Sequence, residues 1–133
     1  MVLLILLVLA LFVVQTLLPG RFREPSPDGG KGKLVENLGN RDHVRPLTVV
    51  GERAARALAN MQEALPVFLT LALLNMIVGT AAASAVTGAT LFLIARVLYV
   101  GIYISGIAVV RTVLWGVSWI GLVMMLVPLF DKI

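Results

Sequence analysis

Four largely apolar stretches run along the chain, and polar segments of unequal length separate them. The first, 1–18, has Gln15 and Thr16 as its polar interruptions. At about 1.5 Å per residue, a helix of that length just crosses a ~30 Å hydrocarbon core. It lacks the basic start and small-residue cleavage site of a secretory signal, so it is expected to be a retained span. The second, 47–78, is amphipathic in its first half and then apolar apart from Thr70 and Asn75. It exceeds one bilayer crossing, which predicts that its beginning projects into water. A third helix is predicted over 85–110, interrupted by Arg96, and a fourth, without charge, over 113–130. Gly, Ala, Ser and Thr crowd 79–90, which predicts a turn near 79–84 and a close helix approach through Ser84 and Gly88. The expected fold is all-α: one integral membrane four-helix bundle occupying 1–133.

Composition agrees. The chain is 59% hydrophobic and 14% charged, against about 25% charged in soluble domains. It contains no cysteine, which excludes disulfides, thiolate–metal sites and a protein thiol nucleophile; no metal is expected. A net charge of +4 would suggest nucleic acid in a soluble protein, but here the bases flank apolar segments and no nucleic-acid partner is expected. Arg21, Arg23, Lys31, Lys33, Arg41 and Arg45 fall in the connection 19–46, whose Pro and Gly residues argue against regular structure through Gly32. Arg111 falls between the third and fourth spans, the second-to-third turn has no base, and the tail has Lys132. The positive-inside rule then makes 19–46 cytoplasmic and both termini external.

The chemistry lies in polar residues within the helices. Arg53, Arg56, Asn60 and Glu63 are spaced 3, 4 and 3 apart and fall within an arc of about 80°. Arg96, Tyr99 and Tyr103, spaced 3 and 4, fall within about 60°. Charges inside spans usually face a bundle interior or a water-filled cavity, so the two stripes are expected to line one cleft. Structural readings stand beside this one. Arg53 and Glu52 could be solvated at the boundary, and Arg56 could pair with Glu63. Arg96 could pair with Glu63, and Asn60 could be an interhelical hydrogen-bonding group. Tyr99, Tyr103, Trp115, Trp119 and Asn75 could be packing, Arg111 a topological anchor, and His43 a solvated loop residue. Cationic forks, a carboxylate, an amide and phenols suit a small molecule with more than one carboxylate and an ammonium. Glutathione has that pattern, as do other peptides.

The run Glu52-Arg53-Ala54-Ala55-Arg56-Ala57-Leu58-Ala59-Asn60-Met61-Gln62-Glu63-Ala64-Leu65-Pro66-Val67-Phe68 resembles the E-R-x-x-R-A-x-x-N-x-x-E-x-x-P-x-F signature of the MAPEG proteins. These are the membrane-associated proteins in eicosanoid and glutathione metabolism. Arg96, Tyr99 and Tyr103 resemble that family's second motif, R-x-x-Y-x-x-x-Y. Gly39-Asn40-Arg41-Asp42 and Pro46-Leu47-Thr48 resemble the bacterial branch, which implies a bacterial inner membrane. The resemblance implies a homotrimer of four-helix protomers, with glutathione held between subunits near the cytoplasmic side. Carried over, Arg53, Arg56, Asn60, Glu63, Arg96, Tyr99 and Tyr103 would bind glutathione, and Arg111 would be the catalytic arginine that activates its thiol. Ala64 departs from members that carry a tyrosine beside the motif glutamate, so eicosanoid-type specificity is not implied. The implied activity is a glutathione transferase or peroxidase acting on lipophilic molecules from the bilayer. The alternatives are a non-catalytic lipid- or glutathione-binding scaffold of the same family and a small four-span exporter. An exporter of that kind needs an acidic residue in the first span, and 1–18 has none.

Overall fold

In lipid, an isolated apolar segment satisfies its own backbone by becoming a helix, and this chain does so four times. The computed structural model describes residues 1–25, 44–80 and 82–132. Helices α1 (Val2–Arg21), α2 (Val49–Ile77), α3 (Ala83–Ser105) and α4 (Ala108–Phe130) follow in order, and each is long and apolar enough to cross a membrane. The all-α, four-span expectation holds. Most of the 19–46 connection lies outside the described residues, including His43 and the bacterial-type 39–42 run.

The two ends of that connection are tied together. Arg23 and Leu47 form an isolated antiparallel bridge, and Thr48 N–H donates to Phe22 O at 2.9 Å. Thr48 is also the N-cap of α2: its hydroxyl donates to Phe22 O at 2.9 Å and accepts from Gly51 N–H at 3.2 Å. One side chain therefore caps α2 and holds it to the end of α1. At 29 residues, α2 is about 43 Å long, longer than a ~30 Å core.

Two boundaries differ from those expected. α1 continues through Pro19 to Arg21, because a proline in the last turn forgoes a single hydrogen bond. The break between the third and fourth helices falls at Gly106–Ile107 rather than at Arg111–Thr112. Gly106 adopts φ +84° and its N–H closes the last turn of α3 onto Ile102 O and Tyr103 O; a left-handed residue there favours glycine. Arg111 consequently lies in the opening turn of α4.

The interior is narrow. Phe68 of α2 stacks on Phe92 of α3 with ring centroids 4.7 Å apart, amid buried Val8, Met61, Ala64, Ala89 and Met125. α3 and α4 meet backbone to backbone at Gly88 and Gly121: a Cβ on Gly88 would stand 2.5 Å from Gly121 O, and one on Gly121 would stand 2.6 Å from Gly88 O. Ser84, the other half of the expected small-residue pair, is exposed. Asn75 is buried packing with a polar function: its Nδ2 donates to Leu71 O and Met125 O, both at 2.8 Å, and its Oδ1 accepts from the Thr80 hydroxyl at 2.6 Å. Trp115 and Trp119 lie side by side on the outer surface of α4, centroids 5.9 Å apart.

Gly88→Ala or Gly121→Ala should therefore lower the apparent unfolding temperature in detergent, at a cost of about 1–3 kcal/mol for forcing two backbones apart. Gly116→Ala on the same α4, where a Cβ meets nothing within 4 Å, should leave it unchanged or raise it. Indistinguishable melting of the three variants would mean that α3 and α4 do not touch at these glycines.

Candidate functional site

The antiparallel register of α2 and α3 brings Asn60 and Arg96 together. Arg96 is 1% exposed, and its Nη1 donates to Asn60 Oδ1 at 2.6 Å. The guanidinium also lies 5.2 Å from the Phe92 ring centroid and 5.5 Å from that of Tyr99. Ring faces attract a desolvated cation, so these aromatics stabilise charge where water cannot. Two donors of this side chain, Nε and Nη2, are buried with no hydrogen-bond partner. Leaving such groups unpaired is costly, and a bound anion would satisfy both.

From Arg96 the site continues toward the end of the bundle where α3 meets α4. Buried Tyr99 meets Tyr103 edge-on, with centroids 5.4 Å apart. Arg111, half-buried on α4, covers the other ring at 4.9 Å from the Tyr103 centroid. Asn60, Arg96, Tyr99, Tyr103 and Arg111 thus form one continuous run over three helices. The spacing of 3 and 4 on α3 underlies this run, because it stacks the cation and both phenols on one face.

The remaining predicted residues are placed differently. Arg53 Nη1 donates to Ile104 O at 3.2 Å, at the C-terminal end of α3. Arg56 pairs with Glu52 one turn back on its own helix, at 3.6 Å, both side chains more than half exposed. Glu63 is exposed. Neither structural ion pair expected of it forms among the described residues: Arg56 bonds to Glu52, and Arg96 to Asn60. An exposed i,i+4 pair contributes about 0.3–0.5 kcal/mol, so Glu52 does not tie Arg56 down. The site therefore has a buried layer between α2 and α3 and, beside it on α2, an exposed layer of Arg56 and Glu63.

Two buried polar residues escaped sequence reasoning: Ser118 of α4, whose hydroxyl donates to Trp115 O at 2.7 Å, and Gln15. Gln15 of α1 is 2% exposed, and its Oε1 has no partner. α1 pairs antiparallel with α2 from Phe22–Thr48 at one end to Val8, which packs among Met61 and Leu65. That register sets Gln15 near the depth of Arg56. The available signal was a lone amide in an otherwise apolar span, which is rarely placed there without reason.

Comparison with known proteins adds one finding. No curated protein and no solved structure matches the chain. The family model described as MAPEG family matches residues 1–130 of the 133, covering all four helices and every residue of the polar run. The chain belongs to the MAPEG family, as an integral membrane protein of four helices.

Proposed function

We propose that this protein is a membrane glutathione transferase or peroxidase acting on lipophilic electrophiles or hydroperoxides. MAPEG membership supports a membrane, glutathione-related function in general. The observation that carries the specific reading is Arg96: a buried cation, anchored through one nitrogen to Asn60, with two N–H groups left unpaired.

Glutathione supplies what such a site lacks. Its two carboxylates match Arg96 and Arg56, and its ammonium matches Glu63. Asn60 and the hydroxyls of Tyr99 and Tyr103 suit its amide and carboxylate groups. The protein has no thiol, so the nucleophile is the cosubstrate's own. A thiol of pKa about 8.5 is a few per cent ionised at neutral pH, and a nearby guanidinium shifts it toward thiolate, the proton leaving to water. Arg111 is assigned that part. In the transferase reaction, sulfur forms a bond to an electrophilic carbon while a leaving group or π pair accepts electrons. In the peroxidase reaction, sulfur attacks the terminal hydroperoxide oxygen and the O–O bond breaks. The alkoxide takes a proton from water and departs as alcohol, leaving a sulfenic acid on glutathione. The thiol of a second glutathione then displaces water from that sulfur to give the disulfide.

The exposed layer supports assembly. Glu63 lies fourteen residues into α2, about 21 Å from its start, where an exposed carboxylate facing lipid would be expensive. A homotrimer that places a neighbouring copy over this face would cover Arg56 and Glu63 and hold glutathione between subunits. The basic connection 19–46 and the ends carrying Arg53 and Arg111 are assigned to the cytoplasm, with both termini outside and the inner membrane of a bacterium as the location. Glutathione would then enter from the cytoplasm and the lipophilic partner from the bilayer.

Reporters fused after Lys33 should read as cytoplasmic and those after Ile133 as external; a cytoplasmic C-terminus would reverse the orientation.

Alanine at Arg56, Asn60 or Glu63 should each weaken glutathione binding to detergent-purified protein by about 1.5–3 kcal/mol, the worth of a charge-assisted contact, measured by calorimetry. If all three variants fold and bind as the parent does, the ligand lies elsewhere.

Arg111→Ala should retain glutathione binding but move the thiolate's ultraviolet absorbance to higher pH, toward the free thiol. Arg96→Ala should instead lower yield or binding, since it leaves Asn60 without its partner and the ligand's carboxylate without a cation. The opposite pattern would make Arg96 the activating residue. No thiolate in the parent would favour the non-catalytic binder.

A further inference from the structure

Arg53 heads the polar stripe of α2 in sequence, yet it is occupied elsewhere. Its Nη1 donates to Ile104 O, one of the carbonyls that a helix C-terminus leaves without an intrahelical partner. Its guanidinium lies directly against the α-carbon of Gly106: a Cβ there would stand 2.6 Å from Nη1, 2.7 Å from Cζ and 2.9 Å from Nη2. A positive charge at this point also opposes the negative end of the α3 dipole.

The short link after α3 gives the contact its consequence. Two residues, Gly106 and Ile107, join α3 to α4, and α4 begins with no side-chain cap. Arg111 lies four residues beyond Ile107, to whose carbonyl its own N–H donates at 3.2 Å. Its guanidinium rests on Tyr103, the residue three before Gly106. Anything that fixes the Gly106 turn therefore fixes where Arg111 sits over Tyr103.

We propose that Arg53 is a positioning residue: it locks the α3–α4 turn from the side of α2 and so holds Arg111 in place, instead of contacting the bound small molecule itself. Glycine at 106 and arginine at 53 form one device. Glycine supplies both the left-handed turn and the bare surface, and a planar fork lies flat on that surface while reaching the carbonyl. Lysine, with a compact ammonium on a flexible stem, does neither. The role of Arg111 rests on the proposed glutathione function; the lock itself does not.

The test uses the full chain in detergent as parent, Arg53→Met, Arg53→Lys and Gly106→Ala. Amide hydrogen exchange without glutathione reads the lock directly. In each variant exchange over 104–111 should quicken by about tenfold or more, while amides in the middle of α2 keep parental rates. With glutathione, the Arg53 variants should bind within roughly threefold of the parent. Their thiolate absorbance should shift to higher pH, in the direction expected of Arg111→Ala. Parental exchange over 104–111 in Arg53→Met overturns the lock. So does Arg53→Lys behaving as the parent. Faster exchange with an unmoved thiolate overturns the positioning role, and a loss of binding of about tenfold or more with an unmoved thiolate makes Arg53 a ligand contact. If the parent itself forms no thiolate, the glutathione-activation reading fails, and with it the role given to Arg111; the exchange result then stands alone as support for the lock or against it.

Discussion

The Arg96–Asn60 hydrogen bond is the constraint on which the rest of this bundle depends. A charge placed inside an apolar helix costs at least about 2.5–3.5 kcal/mol on insertion scales, and the cost must be met locally. Here an amide oxygen 2.6 Å away and two ring faces meet it. Asn60 can reach Arg96 in one rotation and one vertical offset of α2 against α3. The same offset stacks Phe68 on Phe92 deeper in the bundle and brings Arg53 to Ile104 at its end. Three contacts of different chemistry at three heights thus share one register, and a slide of α2 by one turn would lose all of them.

The other helix pair is held by different means. Lipid chains are as apolar as leucine, so burial of apolar surface gives little drive for helices to associate within a bilayer; close packing and hydrogen bonds must do it. α3 and α4 meet through Gly88 and Gly121, where the absence of side chains lets backbone touch backbone. About one turn further along α4, Asn75 of α2 donates to Met125 O, closing the triangle of α2, α3 and α4 at the end away from Arg53. The polar run is therefore clamped from both ends, by a glycine contact with an asparagine at one and by the Arg53–Gly106 contact at the other.

Much of this was legible in the sequence, and the exceptions have physical causes. Four largely apolar stretches of bilayer length announce four helices, because few other structures tolerate such composition. The 3- and 4-residue spacing of Arg96, Tyr99 and Tyr103 announces a shared face, and the structure joins them to Asn60 and Arg111. Hydropathy misplaces the α3–α4 boundary because it runs unbroken through the true one and makes Arg111 look like the interruption. The true signal was Gly106, a residue with no polarity to register in such a pattern. Partners were harder still. Periodicity places Arg53, Arg56, Asn60 and Glu63 on one face of α2 but says nothing of which neighbour covers each part. Within one protomer Asn60 bonds to α3 and Arg53 to the end of α3, while Arg56 and Glu63 make no hydrogen bond or ion pair to α3 among the described residues. Gln15 shows the same limit: its polarity was visible, its burial was not.

The two arginines of the run differ in a way that bears on which could serve a titrating group. Arg96 is sealed from water, with one nitrogen committed to Asn60 and both ring neighbours in place. In that setting its two free donors require a partner whose negative charge is permanent, such as a carboxylate. A group that gained and lost a proton would leave a buried cation periodically uncompensated, at several kcal/mol. Arg111 is half-buried at the end of the bundle, resting on one aromatic face. Water can compensate it when a facing thiol is neutral, and partial dehydration strengthens its pull when the thiol ionises. Under the glutathione function proposed above, burial alone would separate, along one short polar run, a cation suited to holding an anion from a cation suited to creating one.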